Sequence, residues 1–371
     1  MHVRYRNVNE AFTGLVEMIH MNSITKELPL VETTSRAGDV IQIAEPMTIT
    51  YYAPWERVLL NQARDANPVF HMYEALWMLV GRNDVAPLAY YNSNIAKVAS
   101  ADGLTFNGAY GYRWRNAIIY TDGELEGFQG WCKDSIDQLE IIIAQLRAKP
   151  DSRRCVLQIW SIADDLLKID VTKDTCCNTQ AYFLINDGKL DMTVCNRSND
   201  MIWGCLGANV VHFSVLQEYL AAHIGVRVGV YNQFTNNLHV YKERWEPKKW
   251  LREETRTMHS PKRFSYADKE AHLVPLISDP VQFDKELTRF VEQYSSDTGT
   301  SIDGYAEPFL RNVAQPMCEA FRSHKNRDYF RAGLYAQAIE ADDWRTACLN
   351  WLRKRAANYA KRQVQSSADQ N

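Results

Sequence analysis

Cys177 is the residue of this sequence whose surroundings most favour chemistry. Arg153 and Arg154 precede it, and Arg197 follows it within the polar run 196–200. Arginine side chains bind phosphate through two parallel hydrogen bonds, and positive charge near a thiol lowers its pKa towards the reactive thiolate. The pattern therefore predicts a nucleophilic thiol that attacks an anionic, phosphorylated molecule.

Apolar runs with strand and helix periodicity flank these polar residues. Residues 181–185 and 189–194 predict two strands joined at Asn186-Asp187-Gly188, a sequence typical of a tight hairpin. Residues 210–223 are mostly apolar and predict a central helix, because little of its circumference is polar. Further strands are predicted at 47–52, 155–160, 226–232 and 237–241, and further helices at 9–21, 70–80 and 135–148.

The sequence becomes charged and then helical after about residue 245. Helices are predicted at 280–294, 308–323, 328–340 and 342–362, with a linker at 295–301 and a disordered tail from Ser366. We therefore expect two parts, a catalytic domain of residues 1–260 and a helical C-terminal extension of residues 261–371.

Composition excludes several classes of protein. The 371 residues carry 42 basic and 45 acidic side chains, a net charge of −3, so direct DNA binding is not expected. No apolar run is long enough to span a bilayer, so no membrane partner is expected either. Eight cysteines without a Cys-x-x-Cys pair predict free thiols in a reducing cytoplasm and no metal site.

The order of the polar motifs resembles the thymidylate synthase family, which includes the pyrimidine nucleotide hydroxymethylases. The resemblance covers residues 31–241 and is densest between residues 151 and 241. It rests on Ser35-Arg36, Glu74, Tyr110-Gly111, Arg153-Arg154, Cys177, Arg197-Ser198, Asp200, Gly204, Asn209, and His239 with Tyr241. It implies an α/β (α+β) fold with a mixed, twisted sheet and flanking helices.

The resemblance implies a chemical role for each catalytic residue. Cys177 would add to C6 of a pyrimidine and so make C5 nucleophilic. Glu74 would act as general base through ordered water, and Tyr110 would order the site around the nucleophile. Asp200, with Glu74 and Gly204, would bind the co-substrate 5,10-methylenetetrahydrofolate.

The resemblance also implies how a nucleoside monophosphate is bound. The phosphate would be held by Arg36, Arg153, Arg154, Arg197 and Ser198. Because the double arginine reaches a neighbouring subunit in this family, the protein is expected to be a homodimer with shared sites. His239 and Tyr241 would hold the sugar 3′-hydroxyl.

Asn209 bears on the choice of base. A carboxamide suits the O4/N3–H edge of uracil, whereas a carboxylate suits cytosine, so Asn209 favours dUMP. The segment 204–209 is one residue longer than the usual family spacing.

A purely structural role stays open for several residues: a core thiol for Cys177, a surface ion pair for Arg36, and strand packing for His239 and Tyr241. Trp77 and Trp203 are predicted to pack in the core or the pocket wall.

Three departures from the synthases favour a hydroxymethyl product. Residues 78–113 lack the tryptophan that shields the site from water and have Ala96 and Ala99 instead, Asn178 replaces the usual histidine, and the C-terminus differs. The favoured reaction converts dUMP to 5-hydroxymethyl-dUMP. Methylation of dUMP by a thymidylate synthase, hydroxymethylation of dCMP or CMP, and an inactive nucleotide-binding relative remain alternatives. A flavin-type or SAM-type methyltransferase is disfavoured, because no glycine-rich loop follows a strand.

Overall fold

The computed structural model describes residues 1–125, 128–258, 264–268, 271–297 and 304–368. The strands are β1 His2–Tyr5, β2 Leu30–Ser35, β3 Gly38–Ile43, β4 Met47–Tyr51, β5 Ala117–Leu125, β6 Phe128–Ile136, β7 Val156–Gln158, β8 Asn178–Asn186, β9 Lys189–Asn196, β10 Asn199–Asp200, β11 Arg227–Thr235 and β12 Leu238–Tyr241. The helices are α1 Val8–Thr25, α2 Pro68–Val80, α3 Val85–Tyr91, α4 Tyr110–Arg115, α5 Gln138–Ala148, α6 Asn209–Ile224, α7 Pro247–Met258, α8 Pro280–Gln293, α9 Gln315–Lys325, α10 Tyr329–Gln337 and α11 Asp342–Ala368.

A mixed six-stranded sheet forms the centre of the fold, in the order β1-β4-β11-β9-β8-β7. Strands β1 and β4 are parallel, as are β11 and β9, and the other neighbours are antiparallel. A four-stranded sheet, β10-β12-β3-β2, carries site residues, and β5 pairs with β6. These mixed sheets with flanking helices confirm the α/β fold class.

Helix α6 lies at the centre of the core, as its apolar composition predicts. Phe213, Leu216 and Leu220 are buried, and the polar Gln217 is buried too because its side-chain amide donates to the carbonyl oxygens of Leu190 and Val230. The helix ends at Gly225, whose φ of 87° is a left-handed conformation that glycine adopts without steric cost.

The predicted hairpin is confirmed between β8 and β9. Asp187 has φ 49° and Gly188 has φ 67°, the two positive values that a type I′ turn requires. The strands around it extend further than predicted, because β8 begins at Asn178 and β9 ends at Asn196, so polar residues continue the ladder towards Cys177.

The C-terminal helices pack directly on the helix that carries Glu74. The Tyr73 hydroxyl donates to the carbonyl oxygen of Val291 at 2.7 Å, and the Tyr91 hydroxyl donates to that of Tyr294 at 2.8 Å. Buried residues of both parts form one continuous apolar cluster, which includes Trp77 and Phe290. The extension therefore covers the back of the catalytic part.

The C-terminal part was predicted to contain a linker and a disordered tail. The predicted tail from Ser366 is wrong for residues 366–368, because α11 continues through Ala368, and residues 369–371 lie outside the described residues. Of the predicted linker at 295–301, residues 298–301 lie outside them as well. None of the described helices is long and apolar enough to cross a membrane.

Candidate active site

Cys177 stands immediately before β8 and is held against Arg197. The Arg197 backbone N–H donates to the Cys177 carbonyl oxygen at 3.0 Å. Its guanidinium Nε donates to the carbonyl oxygen of Cys176 at 2.8 Å, and Nη2 donates to that of Thr175 at 3.0 Å. The same Nη2 lies 3.8 Å from Cys177 Sγ. One arginine therefore fixes the loop that carries the thiol and contacts the sulfur itself.

The charges around Cys177 correct one expectation from the sequence. Burial raises the pKa of the Cys177 thiol above its usual range. The guanidinium groups of Arg197 and Arg36 lower that pKa, whereas the carboxylates of Asp174 and Asp165 raise it. The predicted fall of the pKa towards the thiolate is therefore wrong for the ligand-free protein, because burial and the two carboxylates outweigh the two arginines.

Cys176 has a different environment from its neighbour. Its side chain is buried, its Sγ lies 3.7 Å from the carbonyl oxygen of Gly108, and its backbone N–H donates to Asp165 Oδ1 at 3.1 Å. Asp165 is fully buried and lies 3.4 Å from Arg113 Nη1. Burial raises the pKa of the Cys176 thiol far above its usual range. These contacts suit a structural residue that anchors the loop.

The predicted phosphate-binding residues fall into two groups. Arg197 and Arg36 lie near the thiol, and Ser198 follows Arg197 in the chain. The Arg36 side chain donates to the carbonyl oxygens of Thr172 at 3.3 Å and Lys173 at 2.6 Å in the loop before Cys177. Arg153 and Arg154 lie just before β7 at the edge of the large sheet and are exposed. Neither guanidinium makes a hydrogen bond or ion pair within the described ranges.

Tyr110 and Asp174 lie beside the two cysteines. Burial raises the pKa of the Tyr110 hydroxyl, the charges of both thiols and of Asp174 raise it further, and a hydrogen bond with the backbone of Cys177 lowers it. Asp174 Oδ2 accepts from the backbone N–H of Gly108 at 2.7 Å. Burial is the main reason that the pKa of Asp174 is raised. Tyr110 therefore lies next to the loop that carries Cys177.

Glu74 lies in α2 beneath the central helix. Its side chain is buried, and its Oε2 lies 2.9 Å from His212 Nε2 in α6, although the angles do not fit a hydrogen bond. His212 lies one helical turn after Asn209, so the same face of α6 carries both residues. Glu74 therefore contacts the face of α6 on which Asn209 lies one turn earlier.

Asp200, His239 and Tyr241 lie together on the smaller sheet. Asp200 pairs with His239 across the parallel strands β10 and β12, and the His239 and Tyr241 rings meet edge to face at 5.4 Å. Burial raises the pKa of Asp200, while the backbone N–H groups of Ile202 and Trp203 stabilise its carboxylate by donating to Oδ1. Burial lowers the pKa of His239, which the charge of Asp200 opposes.

Trp203 is 46% exposed and follows Asp200 closely in the chain, so it does not belong to the core. The Arg64 guanidinium lies 4.4 Å from the centre of its ring, and that of Arg244 lies 5.6 Å away. Burial lowers the pKa of Arg64 to about 10. Trp77, by contrast, is buried and donates from Nε1 to Asp84 Oδ1 at 3.0 Å, which is a core role.

The segment between Gly204 and Asn209 lies in a wide helical turn. Residues Met201–Ala208 have π-helical geometry, with a break at Gly207 (φ −126°, ψ −105°), and α6 begins at Asn209. A π turn holds one more residue than an α turn, which suits the longer spacing predicted for this segment. Its Nδ2 donates to Asn199 Oδ1 at 3.1 Å. A Cβ at Gly204 would lie 2.3 Å from that Oδ1, so any larger residue there would displace the Asn199 side chain.

Several site residues were not singled out by sequence reasoning. Their positions became evident only once helices and strands were packed, because none belongs to a distinctive local pattern; they are Asp165, Asp174, Asn199, His212 and Arg64. A carboxylate three residues before Cys177 was the one visible signal. Within the described ranges, no cluster of three or more metal-binding side chains occurs.

Comparisons with known proteins show the family of this chain. Residues 50–272 match the thymidylate synthase family, so the chain belongs to that family of one-carbon transferases. It is 38% identical to a deoxyuridylate hydroxymethyltransferase of Pseudomonas phage M6 over 99% of this chain and 98% of that protein. It is 37% identical to a protein of the same name from Bacillus phage SP01, over 58% of this chain and 56% of that one. A thymidylate synthase of Symbiobacterium thermophilum is 31% identical over 46% of this chain and 57% of its own length.

Proposed function

We propose that this protein hydroxymethylates dUMP at C5, with 5,10-methylenetetrahydrofolate as the one-carbon donor and tetrahydrofolate as the second product. The observation that carries the proposal is the contact of Cys177 Sγ with Arg197 Nη2 at 3.8 Å, at the position of the family nucleophile. The Pseudomonas phage M6 relative is named for hydroxymethyl transfer to deoxyuridylate and matches nearly the whole chain, which supports this reaction over methylation.

Cys177 is the proposed nucleophile. Its thiolate forms a bond to C6 of the pyrimidine, and the displaced electron pair makes C5 nucleophilic towards the one-carbon unit. Burial raises the pKa of this thiol in the ligand-free protein, so the thiol must lose its proton before its sulfur attacks C6. Arg36, Arg197 and Ser198 are proposed to hold the phosphate next to the thiol.

The remaining site residues are proposed to orient the base, the sugar and the folate. Asn209 reads the uracil edge, and His239 with Tyr241 binds the sugar hydroxyl. Glu74 moves protons near the pyrimidine, and Tyr110 orders the nucleophile loop. Asp200 and Gly204 are proposed to contact the folate, with the exposed face of Trp203 as a wall beside them.

Water capture is the proposed final step. Ala96 is exposed, and Ala99 is half-buried, where a shielding tryptophan would stand in a synthase. Small side chains leave space for water near the exocyclic methylene at C5. Addition of water then gives the hydroxymethyl group, whereas a shielded site would let hydride arrive first and give thymidylate.

A homodimer with shared sites is proposed on two observations. Arg153 and Arg154 are exposed cations without a partner in the described part of the chain. Beside them, the outer face of β7 and β8 exposes three large apolar side chains, Val156, Tyr182 and Leu184. An exposed apolar patch next to unpaired arginines suits a second copy whose phosphate site receives those arginines. The phosphate of dUMP would then be bound by residues of two subunits.

The proposed setting is the cytoplasm of a phage-infected host, with the product used for modified phage DNA. The phage origin of the two hydroxymethyltransferase relatives supports this setting. The free state of Cys155, Cys176, Cys177, Cys195, Cys205, Cys318 and Cys348 suits a reducing compartment.

The proposal is tested by product analysis with dUMP, dCMP and CMP, each incubated with 5,10-methylenetetrahydrofolate. We expect mass spectrometry to identify 5-hydroxymethyl-dUMP from dUMP, with no rise in absorbance near 340 nm, because dihydrofolate forms only when hydride is transferred. Stoichiometric dihydrofolate with thymidylate would make the protein a synthase. Faster turnover of dCMP or CMP would overturn the choice of substrate.

A further inference from the structure

A row of buried polar side chains crosses three neighbouring strands next to the nucleophile. Asn178 in β8 lies opposite Asn196 in β9, and Asn196 lies opposite Thr235 in β11. Their exposed fractions are 0%, 2% and 0%. Neighbouring strands lie about 4.7–4.9 Å apart, and directly paired residues point to the same face, so the three side chains are neighbours on one face of the sheet. We call them the polar row.

Most polar atoms of this row meet no hydrogen-bond partner in the described part of the chain. They are Oδ1 and Nδ2 of Asn178, Oδ1 of Asn196 and Oγ1 of Thr235. The Asn196 Nδ2 group alone is satisfied, by the carbonyl oxygen of Phe234 at 2.8 Å. Buried polar groups are nearly always hydrogen-bonded to protein or ordered water, because an unpaired one destabilises the fold. The row therefore requires a polar occupant.

The position of the row ties it to the chemistry. The buried residues further along β8 and β9 are apolar: Ala181, Phe183, Leu190, Met192 and Val194. The buried residues of these two strands are polar only at Asn178 and Asn196, at the end of the strands next to Cys177. A site with several donors and acceptors close together is where buried water binds. Packing alone would favour continuing the apolar face.

We propose that the polar row binds the water that hydrates the exocyclic methylene, and that Asn178 is the residue that positions it. This inference rests on the proposed hydroxymethylation. The water oxygen forms a bond to the methylene carbon, and the electron pair of the C5 double bond moves to O4. The proton of that water passes through neighbouring water to the Glu74 carboxylate. The electron pair then returns to form the C5–C6 double bond and expels the Cys177 thiolate.

The test separates formation of the methylene from its hydration. Tritium release from dUMP labelled at C5 reports loss of the C5 proton, and mass spectrometry with added 2-mercaptoethanol reports both the hydroxymethyl product and any methylene trapped as a thioether. In Asn178→Leu, which has nearly the same shape, we expect tritium release within about threefold of wild type. We expect hydroxymethyl product to fall about 10- to 100-fold relative to tritium release, because a misplaced reactant slows a reaction by about that factor. The thioether should appear as the methylene accumulates.

Two further variants make the outcome specific. Thr235→Val replaces only the hydroxyl at the far end of the row by a methyl group. It should lower the ratio of hydroxymethyl product to tritium release, which we call the partition, by a smaller factor than Asn178→Leu does. Asn186→Ala, in the β8–β9 turn, is the control and should leave the partition unchanged. The role of the row would be overturned if Asn178→Leu lost tritium release and hydroxymethyl product to the same extent. It would also be overturned if the ratio of hydroxymethyl product to tritium release stayed as in wild type. If wild type makes no hydroxymethyl product, the proposed function itself fails.

Discussion

At the scale of single residues, the two adjacent cysteines differ in what surrounds each sulfur. Cys177 is half-buried and contacts Arg197, whereas Cys176 is fully enclosed and anchored through Asp165. We predict that Cys177→Ala lowers turnover by at least about 1,000-fold, because it removes the proposed nucleophile. Its affinity for dUMP, measured by calorimetry, should stay within about tenfold of wild type, since the arginines remain.

The matched control is Cys176→Ala. It removes a buried thiol without touching Arg197, so we expect some loss of thermal stability and at least a tenth of wild-type turnover. Equal loss of turnover in both variants would show that Cys177 is not distinguished as the nucleophile.

Asn209 carries the prediction for base specificity. In Asn209→Asp the carboxylate no longer donates to O4 of uracil and instead accepts from the 4-amino group of cytosine. We expect the ratio of kcat/KM for dUMP over dCMP to fall about 10- to 100-fold, which corresponds to the 1–3 kcal/mol cost of an unpaired buried group. A wild-type enzyme that prefers dCMP would contradict our interpretation of Asn209.

At the scale of elements, the π-helical segment Met201–Ala208 sets where α6 begins. A Cβ at Gly207 would lie 3.0 Å from the carbonyl oxygen of Ile202 and 3.3 Å from Arg64 Nη2. We predict that Gly207→Ala lowers the free energy of unfolding by about 1–3 kcal/mol and weakens dUMP binding, because the crowded turn displaces Asn209.

Gly333 in α10 is the control for that substitution. A Cβ there would meet no atom within 4 Å, and alanine favours a helix by about 0.5–1 kcal/mol over glycine. Gly333→Ala should therefore leave dUMP binding unchanged and slightly raise the stability. Urea unfolding with calorimetric titration measures both effects, and a Gly207→Ala variant that binds dUMP normally would disprove the link between the turn and Asn209.

The sequence predicted those elements whose apolar residues recur with a clear helix or strand period. Helix α6 and the β8–β9 hairpin were predicted because apolar spacing and the Asp187-Gly188 turn are local signals. Strands β2 and β3 were missed, since Leu30–Ser35 is mostly polar and exposed along an edge. The contact of Glu74 with His212 could not be predicted, because it joins residues far apart in the chain through helix packing.

At the scale of the whole molecule, Asp343 links the extension to the catalytic part. Its Oδ2 accepts from the Tyr266 hydroxyl at 2.9 Å, and that hydroxyl accepts from the backbone N–H of Val58 at 3.2 Å. Burial raises the pKa of Asp343 to about 6, against the hydrogen bonds from Trp344 and Tyr266, which lower it.

Because the pKa of Asp343 is higher in the folded protein, its protonated form stabilises the fold. This stabilisation is fully present below the carboxyl pKa of the unfolded chain, near 4, and is lost as the pH rises through about 6. We therefore predict that wild type loses up to about 3 kcal/mol relative to Asp343→Asn between pH 4 and pH 7. Urea unfolding at pH 4.5 and pH 7.5 measures the difference. The same difference between the two proteins at both pH values would contradict the raised pKa.

Shared active sites predict that two inactive variants can restore each other. In a hybrid of Cys177→Ala with the double variant Arg153→Ala, Arg154→Ala, one site keeps both its thiol and the arginines of the other subunit. Unfolding and refolding the two together should recover about a quarter of wild-type activity, because half of the dimers are hybrids with one intact site. No recovery, or a monomer by sedimentation, would refute shared sites.

The wide turn before α6 also affects how relatives are compared. An alignment without a gap between Gly204 and the start of α6 would pair Ala208 of this chain with the base-reading residue of a shorter relative. It would then suggest that the amide had been lost and that base selectivity had vanished with it. A gap placed inside Met201–Ala208 restores the equivalence, so the length of this turn should be checked before any relative is assigned to uracil or cytosine.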